Sequence, residues 1–288
     1  MMKLNYINKI KANISIHSNK KSANILDGTY KSIYRGKSMN FENLREYTIN
    51  DDFKDIDWKS SARSGNLLVK QFVAEKKHNI LLVLDSGIKM DADTDKHENK
   101  KDLALFTAGT LGYLAIKNND YVGMVYKNER IEYKPFKYNL YNLEEYLCDY
   151  EANKAKESEI EEVLEYISNN IPKRKVIFII TDLVGVNSIS IQTLKHLKQT
   201  SDISIININD NNMTGENIFD VKERNYIPEI FLKDKQLNEI EKNIKKQILE
   251  SNKKRLKSIN INMTSISCLE EINRKIIELL EGHQYDRN

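Results

Sequence analysis

With 288 residues, 45 basic and 42 acidic side chains and a formal charge of +3, the chain suits one large α/β domain plus a smaller appendage. That near-balance argues against a nucleic-acid binder, which carries a clustered basic excess, and the supply of apolar residues argues against wholesale disorder. Two cysteines, Cys148 and Cys268, point to a reducing compartment without a disulfide framework, and five scattered histidines show no zinc-ligand spacing.

Along the chain, the stretch from Met1 to His17 lacks the apolar segment of a signal peptide. No later apolar run approaches the ~18–20 residues that a membrane span needs. The expectation is a soluble cytoplasmic protein. Residues 1–77 show no clear helical period. Gly28, Gly36 and Gly65 punctuate them, and Leu67–Phe72 reads as a strand, so they are expected to form a small β-rich module. Inside it, a dense charged run surrounds the only tryptophan, Trp58.

From residue 78 to 288 strands and helices alternate. Ile80–Leu84 is a short apolar run, the mark of a strand covered on both faces. Lys101–Lys117 carries a helical stripe of Leu103, Phe106, Thr110 and Leu114. Tyr121–Tyr126 and Arg130–Tyr133 read as strands joined by a tight turn. Two amphipathic helices follow, around Leu143–Leu147 and Ile160–Ile167. Val176–Ile180 is a second buried strand, Ile191–Lys198 a short helix and Ile203–Ile208 a third strand. Leu237, Ile240, Ile244 and Ile248 mark a long helix whose charges read as a solvated face. Ile259, Ile261 and Met263 alternate as a last strand before a final helix from Leu269 to Leu279.

This alternation predicts an α/β fold with a doubly wound, mostly parallel sheet of Rossmann type. In such sheets ligands gather beyond the carboxyl ends of the strands, where strand order reverses. Asp85 and Asp182, each following an apolar strand, are the residues that rule selects. Two such carboxylates suit a hard cation if enough further oxygens surround them.

The block from Gly28 to Met90 resembles the bacterial DUF58 family, whose core is similar to a von Willebrand factor A-type domain. The matching residues are Gly28, Ser32, Arg35, Gly36, Phe41, Leu44, Arg45, Glu46, Tyr47, Asp51, Asp52, Ile56, Asp57, Trp58, Ala62, Arg63 and Glu75. The match continues more weakly through Asp85, Val122-Gly123, Asp182 and the last strand and helix. Departures occur at Asn40, Asn50 and Lys54, where the family has glutamate, glycine and arginine. The resemblance implies an A-type core and, because such proteins are often encoded beside MoxR-type AAA ATPases, a partner of that kind.

The metal-binding sequence of A-type domains is Asp-x-Ser-x-Ser; this chain has Asp85-Ser86-Gly87-Ile88-Lys89. Both metal-facing serines are absent, and no threonine occurs in the loop from Pro135 to Leu143. The expectation is a degenerate metal-adhesion site with no resident cofactor, weak Mg²⁺ binding being the alternative. Lys89 can pair with one or both aspartates and replace the cation. In A-type domains a partner carboxylate completes the metal's coordination, and Lys89 would offer a fixed positive charge for the same group.

The charged block admits two readings: ion pairs and a buried Trp58 locking the N-terminal module to the sheet, or a docking surface for a partner. Asp182 is read as satisfying loop amides, with Asn187 or Ser188 capping the helix at Ile191. No phosphate-cradling glycine motif is present, and Ser86 has no histidine at a motif spacing. The chain is therefore expected to be a non-catalytic interaction protein, with Asp85, Ser86, Gly87, Lys89 and Asp182 forming the partner-binding edge. The alternative is a metal-dependent hydrolase using Asp85 and Asp182.

Overall fold

The computed structural model describes residues 5–16, 25–30, 41–49, 51–72, 77–153, 160–211, 214, 219–220, 225–226 and 235–285. Ser32, Arg35, Gly36, Asn40, Asn50 and Glu75 lie outside the described residues.

Six strands form the central sheet: β3 (Asn79–Leu84), β4 (Tyr121–Lys127), β5 (Ile131–Lys137), β6 (Lys175–Asp182), β7 (Ser201–Ile208) and β10 (Asn262–Ile266). Their order is β10-β7-β6-β3-β4-β5, parallel except for β5, which pairs antiparallel with β4 across the expected tight turn. β3 and β6 are continuous apolar runs because both of their faces are covered. The chain builds outward from β3 in one direction through β4 and β5, then crosses back to lay down β6, β7 and β10. The switch point therefore falls between β3 and β6, as the sequence predicts.

One face of the sheet is covered by α4 (Lys100–Lys117), α5 (Leu140–Ala152) and α10 (Ile272–Tyr285). The other is covered by α6 (Ile160–Asn170), α7 (Leu183–Ser188), α8 (Ile191–Lys198) and the C-terminal part of α9 (Lys235–Lys257). The last strand starts later than its apolar alternation suggests. Ile261 is buried just ahead of it and Ile259 packs on the same cluster, so both are apolar for packing rather than for strand pairing.

The first 77 residues differ most from expectation. Asn5–Ile16 is a helix, α1, and residues 25–30 are helical as well, α2. Ile7, Ile10, Leu26 and Tyr30 are fully buried in the same core as α4 and α5. Glu144 on α5, itself buried, accepts from the Tyr6 and Ile7 amides at 2.8 Å each and so caps the start of α1. Tyr30 donates to Asp120 at 2.8 Å. The approach of α1 to α4 needs a glycine: a Cβ on Gly109 would stand 2.2 Å from the Ile10 side chain. A β-rich module spanning 1–77 is thus corrected. Its first part is helical and belongs to the main core, because the spacing of Ile7, Ile10 and Ile14 makes one apolar helix face.

Among the described residues, the β content of this region is one antiparallel pair, β1 (Phe41–Glu46) with β2 (Leu68–Phe72), joined through α3 (Trp58–Ser64). A second short pair, β8 (Phe219–Asp220) with β9 (Asn225–Tyr226), follows β7.

Candidate functional site

The switch point brings Asp85 and Asp182 together, and both are buried. Asp85 follows β3 directly, its amide donating to the Ile180 carbonyl at 2.9 Å, so it is held beside β6. Its Oδ1 accepts from the Gly87 amide at 3.0 Å and its Oδ2 from the Thr181 hydroxyl at 2.5 Å. Asp182 ends β6 and caps α7, accepting from the Gly185 amide at 2.8 Å. Ser190, rather than Asn187 or Ser188, caps α8: its hydroxyl accepts from the Thr193 amide at 3.1 Å. Asn187 and Ser188 lie inside α7, a helix the sequence pattern did not suggest.

Lys89, on a 3₁₀ turn after β3, places its ammonium 2.9 Å from Asp85 Oδ2 and 3.1 Å from Asp182 Oδ1. Burial works against its charge, but Asp85 and Asp182 outweigh that and raise its pKa above the ordinary lysine value. A second lysine was missed from sequence. Lys100, the first residue of α4 and 1% exposed, sits 3.0 Å from Asp182 Oδ2 and also pairs with Asp210. Burial opposes the Asp182 carboxylate, yet Lys100, Lys89 and the Gly185 amide together hold its pKa below the usual value. Asp210 goes the other way: burial and the neighbouring Asp182 raise it despite Lys100.

Both omissions had a signal. Asp210 follows the apolar end of β7, the same pattern that selected Asp85 and Asp182. A lysine opening a helix faces the positive end of its dipole, which implies that its charge is wanted elsewhere.

The network is closed from above by α7. A Cβ on Gly185 would lie 1.9 Å from Thr181 Oγ1 and 3.0 Å from both Asp85 Oδ2 and Lys89 Nζ. Ser86 points out of the network, its hydroxyl donating to the Lys127 carbonyl, and Gly87 contributes only its amide. Among the described residues, no group of three His, Cys, Asp or Glu side chains is arranged to hold a metal ion.

The family-signature block forms its own local unit. Arg45 forks onto Asp51, at 2.7 Å for Nη1 to Oδ2, and Thr48 also donates to Asp51, so its carboxyl is held well below the usual range. Glu46 accepts from Asn66 at 2.9 Å, and Tyr47 stacks on Phe53 with ring centres 5.7 Å apart. Asp52 caps the 3₁₀ turn Phe53–Asp55, and Asp57 caps α3 by accepting from Ser60 at 3.1 Å. The Ser60 amide lowers the Asp57 pKa, burial opposes it, and Lys70, 3.9 Å away, adds to the lowering.

Trp58 is 65% exposed and Arg63 is exposed, so a buried Trp58 anchor is ruled out. Among the described residues, no hydrogen bond or ion pair joins 41–72 to the six-stranded domain. Of the two readings of this block, the locking one loses its anchor.

No helix of the described residues is long and apolar enough to cross a membrane. The structure is similar to a von Willebrand factor type A protein from Catenulispora acidiphila, at 10% identity and TM-score 0.42, over 72% of this chain and 42% of that one. It is also similar to the SpRpn10 VWA domain, at 10% identity and TM-score 0.39, over 68% of this chain and 94% of that domain. The pilus adhesin SpaC from Lactobacillus rhamnosus GG is similar at 9% identity and TM-score 0.42, over 73% of this chain and 30% of the adhesin. The chain thus spans less than half of the Catenulispora protein and under a third of the adhesin. No curated protein matches it. The family model described as "Protein of unknown function DUF58" matches residues 43–218, a span holding both the charged block and the switch-point network, and the chain belongs to that family.

Proposed function

We propose that this chain is a non-catalytic interaction module whose degenerate metal-adhesion site is filled by its own lysine, acting in the cytoplasm with a MoxR-type AAA ATPase in the assembly or remodelling of protein complexes. The observation that carries the reading is the Lys89 ammonium lying between Asp85 and Asp182, at 2.9 and 3.1 Å. The donor set does not fit a resident divalent ion. A hard cation such as Mg²⁺ needs about six oxygens in near-octahedral order, whereas here both carboxylates are already engaged by ammonium groups and amides.

The same arrangement supports a binding role over a catalytic one. Each polar group of the network is spent on another, and a buried ion-pair network of this kind sets geometry rather than moving protons. It also revises the idea that Lys89 offers its charge to an acidic partner group, since that charge faces two carboxylates. The link to a MoxR-type ATPase rests on the family resemblance, and the cytoplasmic placement is supported by two unpaired cysteines, Cys148 and Cys268.

Two measurements test this. Titration calorimetry with Mg²⁺ should give no stoichiometric binding, and the melting temperature should be the same in EDTA and in millimolar Mg²⁺. Affinity purification from the native cell should bring down an AAA ATPase, with or without EDTA, while the isolated chain hydrolyses no ATP. A Mg²⁺-dependent melting shift that disappears in Asp85→Ala would restore the metal-dependent enzyme.

A further inference from the structure

α1 is a helix that its own sequence does not sustain. Its twelve residues, NYINKIKANISI, include four isoleucines and three asparagines, all weaker helix formers than alanine. Isolated helices of this length are marginal in water. What holds it is a groove between α4 and α5. Phe106, Gly109 and Tyr113, at steps of three and four, make the α4 wall, and Glu144 and Leu147 make the α5 wall. The Tyr6 ring meets Phe106 edge-on with ring centres 6.5 Å apart, and Ile10 lies over Gly109. The Lys11 ammonium stands 5.7 Å from the centre of the Tyr113 ring. No acid occupies the first turn of α1; Glu144 supplies that negative charge, with one carboxylate oxygen on each of the Tyr6 and Ile7 amides.

Two polar groups make this docking weaker than its fit suggests. Glu144 is 1% exposed, and among the described residues no cation pairs with it. A carboxylate buried against neutral donors alone is better solvated once the helix leaves. Asn13, on α1 itself, keeps its side-chain oxygen buried with no hydrogen-bond partner, a group that water would satisfy. Against these losses, only Ile7 and Ile10 are fully buried among the described side chains of α1. α2 is held more firmly. Leu26 and Tyr30 are fully buried, Tyr30 donates to Asp120, and Asp27 accepts from Asn118 at 3.0 Å and pairs with Lys117 at 3.5 Å. The N-terminal region is thus anchored at α2 and carried lightly at α1.

We propose that the α4/α5 groove is a docking site for the start of a helix, that α1 fills it reversibly, and that α1 of a second copy fills it when the resident helix is released. The product is a dimer that exchanges its first helix. The groove asks for two free amides in a first turn, an aromatic ring beside them, branched aliphatics three residues apart and a cation one position on. Tyr6, Ile7, Ile10 and Lys11 meet each demand. A second copy is the occupant because its α1 carries the same set by identity, while α2 keeps each chain anchored to its own core. This site shares no residue with the lysine-filled switch point, so either can fail without the other.

Release is read first, by hydrogen exchange of the full wild-type chain. The α1 amides should exchange about a hundredfold faster or more than those of β3 and β6, which open only with the whole sheet. Exchange of α1 at the rate of β3 would overturn the proposal. Docking is read by fluorescence anisotropy with a labelled peptide of the sequence Asn5–Ile16. The full chain carrying Ile7→Asp with Ile10→Asp ejects its own α1 and should bind the peptide about tenfold tighter or more than wild type does. Adding Gly109→Leu puts a side chain where Ile10 sits and should abolish that binding. Equal binding by wild type and the ejected variant, or binding that survives Gly109→Leu, would also overturn it. If the ejected variant fails to fold, the wild-type exchange rates still decide. Concentrated wild type should show a dimer by analytical ultracentrifugation that the ejected variant does not form; a wild type that stays monomeric would remove the second copy as the occupant.

Discussion

The charged block at residues 45–63 and the network at the switch point are both dense in ionisable groups, and tertiary placement makes them opposites. In the block, partners are close in sequence: Arg45 with Asp51, Asp52 with the Lys54 amide, Asp57 with the Ser60 amide. Those contacts shape a turn and cap a short helix in reach of water, where ion pairs contribute little. At the switch point the partners come from four elements: the turn after β3, the start of α4, the end of β6 and the loop after β7. There Lys100, Asp85 and Asp182 are almost wholly buried, so each charge exists only because its partner does. Charge density in a sequence is therefore silent about energetic weight; separation along the chain between partners is the better guide.

That contrast can be broken most directly at Lys100. Lys100→Met leaves Asp182 and Asp210 facing each other without their shared cation, and should cost about 3–5 kcal/mol in urea denaturation. A loss below about 1 kcal/mol would mean that the network is no more demanding than the exposed block.

Gly185→Ala comes next. Its Cβ has no room beside Thr181 and the Asp85–Lys89 pair, so the variant should lose about 1–3 kcal/mol unless α7 shifts. A crystal structure of the variant would show which of Thr181 or α7 gives way.

The pH dependence sharpens the comparison further. The Asp182 pKa is depressed in the folded state, so its contribution is present above the unfolded value near ~3.9 and is lost as pH falls through the lower folded one. Asp210 has the opposite sign: its raised pKa favours folding where it is protonated, and that gain is lost as pH rises through the folded value. Asp182→Asn should flatten the acid limb of a melting curve measured from neutral pH to below about pH 4. An unchanged limb would place the acid sensitivity elsewhere.

The smallest effect belongs to the block. Trp58→Ala should change stability by no more than about 0.5 kcal/mol, as expected for a side chain mostly in solvent. A loss of about 3–5 kcal/mol, the scale for a buried large aromatic, would show Trp58 buried in solution after all.

Legibility followed the same division between local and distant. The apolar runs of β3, β6 and β7 and the 3.6-residue stripes of α4, α6 and α8 were readable because period and burial are written into neighbouring residues. Their alternation is enough to imply the parallel sheet and to single out Asp85 and Asp182. The identity of Lys89, where an A-type domain has serine, was enough to question a cation there. What the chain could not declare locally was which distant groups complete each pair. Lys100 reads as an ordinary helix-opening residue until α4 is laid across the end of β6, and Asp210 gains meaning only beside it. Likewise α1 is a helix of modest amphipathicity whose place depends on Glu144 far along the chain and on the missing side chain of Gly109. Trp58 had the composition of an anchor but not the position of one. Periodicity is a property of neighbours and survives in one dimension; burial of a polar or aromatic group depends on what packs over it, and that was decided only when the sheet closed.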